Sequence, residues 1–175
     1  MFNKNRKYFV LSIVFVSLSV LINAFIIYQS CLKGASSSSW SDNVTKTAAD
    51  VINTIAPNTI TEKNMPDFSS FIRKAIGHYG LFGINGIVTT LAIYFSISYT
   101  SFYKHHWGIA ISGSFGLLIA SLTEIIQSFV PGRSGQITDV IIDFAGFFTS
   151  VAIVYLIIIL ALDHKKKTPE AEANS

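Results

Sequence analysis

The chain has 175 residues, of which 50% are hydrophobic and only 13% are charged, with a formal net charge of +3. Soluble domains carry about 25% charged residues, so this chain has about half the usual share. The composition excludes a disordered regulator, which needs low hydrophobicity and high charge, and it is not typical of a soluble enzyme. We therefore predict an all-α integral membrane protein.

Cysteine content and charge pattern exclude further classes. The single cysteine, Cys31, rules out an internal disulfide framework and a zinc site built on cysteines. The sequence has no basic stripe with interleaved aromatic residues, so we predict no nucleic-acid partner. In a membrane protein, the excess of basic residues is better explained by its effect on topology.

Four stretches are long and apolar enough to cross a bilayer, whose core of about 30 Å needs about 20 helical residues. They cover approximately residues 8–28, 79–99, 107–130 and 140–162. The third carries one acid, Glu124, and the fourth carries Asp143 near its start. We predict a bundle of four transmembrane helices. The first is expected to be an uncleaved span, because its apolar run is longer than that of a signal peptide.

Basic residues in the short segments predict that both termini face the cytoplasm. In this orientation the short external loop between spans three and four holds Arg133 alone. The cytoplasmic residues are Lys4, Arg6, Lys7, Lys104, Lys165, Lys166 and Lys167. The predicted organisation is a cytoplasmic end with span one (residues 1–28), an external segment (29–77), a core of three spans (78–162) and a basic cytoplasmic tail (163–175). We place this multi-pass protein in the cell membrane.

The predicted external segment has three parts. Residues 34–39 are typical of a Gly/Ser linker. Apolar residues at helical spacing over residues 41–56 predict a short amphipathic helix that Pro57 ends. A second apolar stripe after Pro66 predicts another amphipathic helix that leads into span two. Such helices lie on the outer leaflet or pack as a lid on the bundle, and the sequence leaves both alternatives open.

Ionisable side chains inside the spans are the strongest functional signal. A charged group at the centre of a membrane helix costs about 2.5–3.5 kcal/mol, so each one needs a physical reason. In the predicted topology, polar residues from three separate segments fall at the level of the outer leaflet. They are His78, Glu124, Gln127, Arg133, Asp139 and Asp143, with Arg73, Lys74, Asn85 and Gly146 as supporting residues. We predict that they form a polar pocket that opens to the outer surface or to the outer leaflet.

Helical spacing places several of these residues on shared faces. Glu124 and Gln127 are three residues apart, and Asp139 and Asp143 are four apart. Gly146 continues the second stripe, where a residue without a side chain allows close helix approach. Residues that merely lie at the membrane interface would have no need to share faces.

The alternative is a structural role. Glu124 with Arg133, or Asp143 with His78, would form buried ion pairs that only hold helices together. Convergence of Glu124, Arg133 and Asp139 on one cavity would favour the pocket, whereas side chains pointing to separate surfaces would contradict it.

The polar residues do not identify a reaction. His78, Glu124 and Asp139 have suitable types for metal ligands but no diagnostic spacing, so we predict no metal and no cofactor. Ser134 stands beside Arg133 but lacks an evident base, and no other nucleophile is convincing. The catalytic residues are therefore unassigned, and the sequence leaves open whether the protein is an enzyme.

The order of these residues resembles the signature of VanZ-like membrane proteins. In that family a Glu-x-x-Gln sequence closes one helix, an Arg-Ser turn follows, and an Asp opens the next helix, with Asn and Gly at later turns. The matching residues here are Glu124, Gln127, Arg133, Ser134, Asp139, Asp143 and Gly146. Arg73-Lys74 followed by His78 resembles a second family block, Arg-Lys-x-x-His-Phe. The resemblance covers roughly residues 71–162.

Three departures from the family pattern limit what the resemblance implies. Gln136 stands where the family often has an acid, and Leu81-Phe82 stand in place of Glu-Tyr. Asp143 replaces the usual Asn, which preserves the shape and adds a possible charge. No site role is inferred for the first two positions.

The resemblance implies a role in the cell envelope of Gram-positive bacteria. The name-giving member of the family is associated with resistance to the lipoglycopeptide teicoplanin, and the family carries no settled chemistry. The implied partners are membrane lipids, a lipid-linked wall precursor or a lipoglycopeptide, and the oligomeric state is left open. An intramembrane enzyme that modifies an envelope lipid is the alternative, and a small transporter is less favoured.

Overall fold

The computed structural model describes the backbone of residues 2–99 and 105–173, and side chains over residues 6–33, 41–98 and 107–162. Every regular element in these ranges is helical. The helices are α1 (Phe2–Cys31), α2 (Gly34–Ile55), α3 (Met65–Ile72), a π-helical segment (Arg73–Gly80), α4 (Leu81–Tyr99), α5 (His105–Ser128) and α6 (Ile137–Ala173). Of the basic residues that predict topology, Lys104 lies outside the described residues, as do the side chains of Lys4 and Lys165 to Lys167.

Four helical spans within the described residues are long and apolar enough to cross a membrane. They are Arg6–Cys31, Met65–Ser98, Trp107–Ser128 and Ile137–Leu162. The predicted all-α fold with four membrane-spanning helices is therefore confirmed. The second span begins at Met65 instead of near residue 79, because α3, the π-helical segment and α4 follow one another without a break. The orientation of both termini stays a prediction.

The long helices pack as a bundle with a small interior and an apolar outer surface. Helix α1 packs along α4, α4 along α6, and α6 along α5. The core contains Phe82 of α4 and Phe147 and Val151 of α6, all buried. Large apolar side chains also point outward, such as Leu21 of α1, which is 66% exposed, and Leu156 of α6, which is 57% exposed. Such a surface is unfavourable in water and suits the hydrocarbon region of a bilayer.

The segment between the first two spans is more helical than predicted. The expected Gly/Ser linker over residues 34–39 is wrong, because α2 begins at Gly34 and continues for 22 residues to Ile55. Serine disfavours a helix only weakly and no proline interrupts this run, so linker-like composition does not prevent helix formation. Helix α2 packs against α3, with Thr45 and Ala49 buried. A position of α2 and α3 outside the membrane stays a prediction.

At Gly146, α6 lies close to the backbone of the π-helical segment. A methyl group on its Cα atom would overlap the backbone carbonyl of Tyr79. The close helix approach predicted at Gly146 is therefore confirmed. It matters for the site because Asp139 and Asp143 precede Gly146 on the same helix.

We expect Gly146→Ala to destabilise the bundle, because a backbone carbonyl cannot move aside as a flexible side chain can. Overpacking of this kind costs about 1–3 kcal/mol. Gly77→Ala is the matched control, since its added methyl would meet only the side chain of Arg73, at 3.9 Å. Thermal unfolding in detergent, followed by circular dichroism, should show a lower midpoint for the first variant and an unchanged or higher one for the second. Equal midpoints would contradict the close approach.

Candidate functional site

The polar residues predicted to form a site gather at one end of the bundle. At this end α5 finishes, α6 starts and the π-helical segment leads into α4. Five of them are buried to 8% exposure or less, namely His78, Glu124, Gln127, Asp139 and Asp143. Buried polar groups of this kind require hydrogen-bond or ionic partners, and their partners define the geometry of the site.

His78 joins the π-helical segment to α6. Its Nδ1 atom lies 3.0 Å from Oδ1 of Asp143, and its Nε2 atom lies 3.7 Å from Oδ2 of Asp139. One imidazole reaches both acids because they are one helical turn apart on the same face. Lys74 lies 3.6 Å, Nζ to Oδ1, from Asp139. The π-helical segment thus supplies a histidine and a lysine to the two acids of α6.

Glu124 organises the connection between α5 and α6. Its Oε1 atom accepts a hydrogen bond from Nε2 of Gln127 at 2.9 Å, and its Oε2 atom accepts one from the backbone N–H of Gln136 at 3.0 Å. The loop therefore folds back onto the carboxylate. Gly135 makes this possible, because a methyl group there would overlap the backbone carbonyl of Glu124.

Arg133 is half-buried and does not pair with Glu124, so that proposed ion pair is wrong. Its Nη1 atom donates instead to the backbone carbonyl of Gln29, at 2.8 Å. Within the side chains that the structure describes, Arg133 has no acid in ion-pair contact. Burial and the neighbouring Arg73 lower the pKa of the Arg133 guanidinium, while Glu124 and Asp139 oppose that shift. Arginine remains charged at neutral pH, so Arg133 keeps a positive charge that no acid among the described side chains meets in an ion-pair contact.

A cavity of about 410 Å³ lies beside these groups. Four of the six predicted pocket residues line it, namely His78, Gln127, Arg133 and Asp143, together with the supporting residue Arg73. The rest of its wall is largely apolar and includes Ile26, Ile72, Ile76, Leu81 and Phe82. Glu124 and Asp139 are not part of the lining. Of the three groups expected to converge on one cavity, only Arg133 lines it.

The supporting residues have different places. Lys74 contacts Asp139, and Gly146 allows α6 to approach, but neither lines the cavity. Asn85 belongs to a separate polar cluster between α1 and α4. Its side chain donates to Asn23 at 3.0 Å and accepts from Asn23 at 3.2 Å and from Thr89 at 2.9 Å. The expected contribution of Asn85 to the pocket is therefore wrong.

Three polar groups that form these contacts were not predicted from the sequence, namely the side chain of Asn23, the carbonyl of Gln29 and the amide of Gln136. The sequence does contain a signal for Asn23, because an amide side chain inside an apolar span needs a hydrogen-bond partner on a neighbouring helix. The carbonyl of Gln29 and the amide of Gln136 had no such signal, since every residue carries these backbone groups. Only the folded chain shows which of them meet Arg133 and Glu124.

Comparison with known proteins gives one finding. A family model described as VanZ/LLP1 matches residues 9–160 of the chain. This range includes the second and third spans, nearly all of the first and fourth, and the loop between α5 and α6, so it contains every residue of the site described above. No curated protein and no solved structure matches the chain.

We expect Glu124→Ala to loosen the loop between α5 and α6, because the backbone amide of Gln136 loses its acceptor. Hydrogen bonds to charged groups contribute about 1.5–3 kcal/mol, so amide hydrogen exchange at Gln136 should accelerate about tenfold or more. Ser128→Ala is the control at the same helix end, because its hydroxyl donates to the Ile125 carbonyl within α5 and, among the described residues, not to the loop. Unchanged exchange at Gln136 in Glu124→Ala would show that the carboxylate does not hold the loop.

Proposed function

This chain belongs to the VanZ-like (VanZ/LLP1) family of membrane proteins, and from that premise we propose that it binds a polar head group in the cavity beside Arg133. The head group is that of an anionic envelope lipid or of a lipid-linked wall precursor. Occupation of such head groups lowers susceptibility to teicoplanin-type lipoglycopeptides. The proposal includes the outward orientation of the cavity that the basic residues predict.

The observation that carries the proposal is a cation and an apolar wall in one cavity. The guanidinium of Arg133 donates a hydrogen bond to the neutral carbonyl of Gln29, so its positive charge is available to an anion. A guanidinium binds phosphate or carboxylate through paired N–H donors. Ile72, Ile76 and Phe82 supply apolar surface next to it for the first part of a lipid chain. The volume of about 410 Å³ is within the usual range for small-molecule sites.

In this proposal, the protein affects antibiotic susceptibility because it competes with the lipoglycopeptide for anionic head groups. A protein that holds anionic head groups at the membrane surface reduces the number that a lipoglycopeptide can reach. The same cavity also suits an acidic group of the antibiotic itself, since the recognition chemistry at Arg133 is the same. Both routes require the charge of Arg133, which makes this residue the decisive one to change.

We expect Arg133→Ala to abolish the rise in teicoplanin minimal inhibitory concentration that the wild-type chain produces in a susceptible Gram-positive host. The reason is the loss of a cavity cation whose hydrogen bond goes to a neutral carbonyl. Lys63→Ala is the matched control, because it also removes one positive charge, from an exposed side chain in the turn between α2 and α3. Immunoblots of membranes should show equal amounts of all three proteins. Full resistance in Arg133→Ala at equal expression would overturn the proposal.

A second function is favoured by the contacts of His78. An imidazole between two carboxylates is suited to act as a general acid or base, and His78 and Asp143 both line the cavity. The protein would then be an intramembrane enzyme that modifies the bound lipid.

Lipid analysis separates this second function from binding alone. If the chain is an enzyme, cells that express it should contain a modified lipid that is missing in His78→Gln cells and in cells with the empty vector. The measurement is mass spectrometry of total lipid extracts. An unchanged lipid profile alongside a clear change in teicoplanin susceptibility would exclude catalysis and leave binding.

A further inference from the structure

We propose that His78, Glu124 and Asp143 together bind one divalent metal ion of the Zn²⁺ or Mn²⁺ type. The sequence predicts no metal, and the three residues of suitable ligand type that it offers are His78, Glu124 and Asp139. The folded chain groups Asp143, instead of Asp139, with the other two. In the folded chain each of the three residues offers one ligand atom, and these atoms all lie within 4.8 Å of one another. Ligands on opposite sides of one such ion are about 4.4 Å apart at most, so small side-chain rotations bring the three onto a common centre.

An unpaired oxygen of Asp143 points independently to a bound cation. Asp143 is only 1% exposed, and its Oδ1 atom is in contact with His78. Its Oδ2 atom is buried and has no hydrogen-bond partner among the described residues. A carboxylate oxygen buried without a partner is costly, and native proteins rarely leave one. A metal ion between Asp143 and Glu124 supplies the missing partner.

The charges of the cluster leave room for one dication. Glu124, Asp139 and Asp143 are each at most 4% exposed, and like charges buried together oppose one another. Lys74 is in ion-pair contact with Asp139, which accounts for one of the three negative charges. A divalent ion balances the other two while His78 binds as a neutral imidazole.

Neighbouring groups orient the ligands as in known metal sites. A histidine ligand usually has its second ring nitrogen next to a carboxylate, and Asp139 lies 3.7 Å from Nε2 of His78 while Nδ1 faces Asp143. Glu124 is held by Gln127 and by the amide of Gln136. Two carboxylates and one imidazole suit Zn²⁺ or Mn²⁺. Because His78 and Asp143 line the cavity, a remaining coordination position is available from that side.

The test uses the full chain, purified in detergent and stripped of metal with a chelator. After dialysis against Zn²⁺ or Mn²⁺, bound metal is measured by mass spectrometry and thermal unfolding by circular dichroism. Wild-type protein should retain about one ion per chain and unfold at a higher temperature than the stripped protein. Glu124→Gln and His78→Gln should bind about tenfold less tightly or worse. Asp67→Asn, which removes an exposed acid on α3, should behave as wild type.

Two outcomes would overturn the site. The first is a wild-type chain that keeps only trace metal and shows no thermal shift, a result that does not depend on whether any variant folds. The second is equal metal loss in Asp67→Asn and Glu124→Gln, which indicates binding to surface charge. Neither lipid nor antibiotic enters this experiment, so it decides the metal site separately from the head-group function.

Discussion

Three carboxylates buried at one end of a membrane bundle are the constraint on which the rest of the structure depends. Such groups are stable only with partners close at hand, and α6 presents two of them one turn apart. The π-helical segment meets this need with Lys74 and His78. For those contacts to form, the two helices must approach closely, and Gly146 permits it. The cavity lies beside the resulting cluster.

The π-helical segment brings Lys74 and His78 to the same neighbour, α6. Three residues, 75–77, separate the two. A π-helix bonds each residue to the fifth one along and so takes up an extra residue without ending the helix. The segment Arg73–Gly80 has this geometry. Lys74 and His78 therefore both contact acids of α6.

Two polar clusters join different pairs of helices in the bundle. Lipid gives helices no hydrophobic reason to associate, so interhelical hydrogen bonds and small residues contribute a larger share than in water. Asn23 and Asn85 join α1 to α4 with neutral amides. The carboxylate cluster joins the π-helical segment to α6 and stands next to a cavity. The amide cluster lies away from the cavity, whereas His78 and Asp143 of the carboxylate cluster line it.

The sequence by itself determined the membrane class, the four spans and the family, because long apolar runs and a short ordered motif are local properties of a chain. It also singled out His78, Glu124 and Asp143, which the structure shows to be buried, since ionisable groups are rare inside spans. Only the tertiary structure decided their partners. Of the two ion pairs that the sequence offered as alternatives, the pair of His78 with Asp143 forms, whereas Glu124 holds the loop instead of pairing with Arg133. Asn85 faces α1. Partner choice depends on how each helix is rotated and how closely it approaches its neighbours, and residue spacing along one helix does not contain that information.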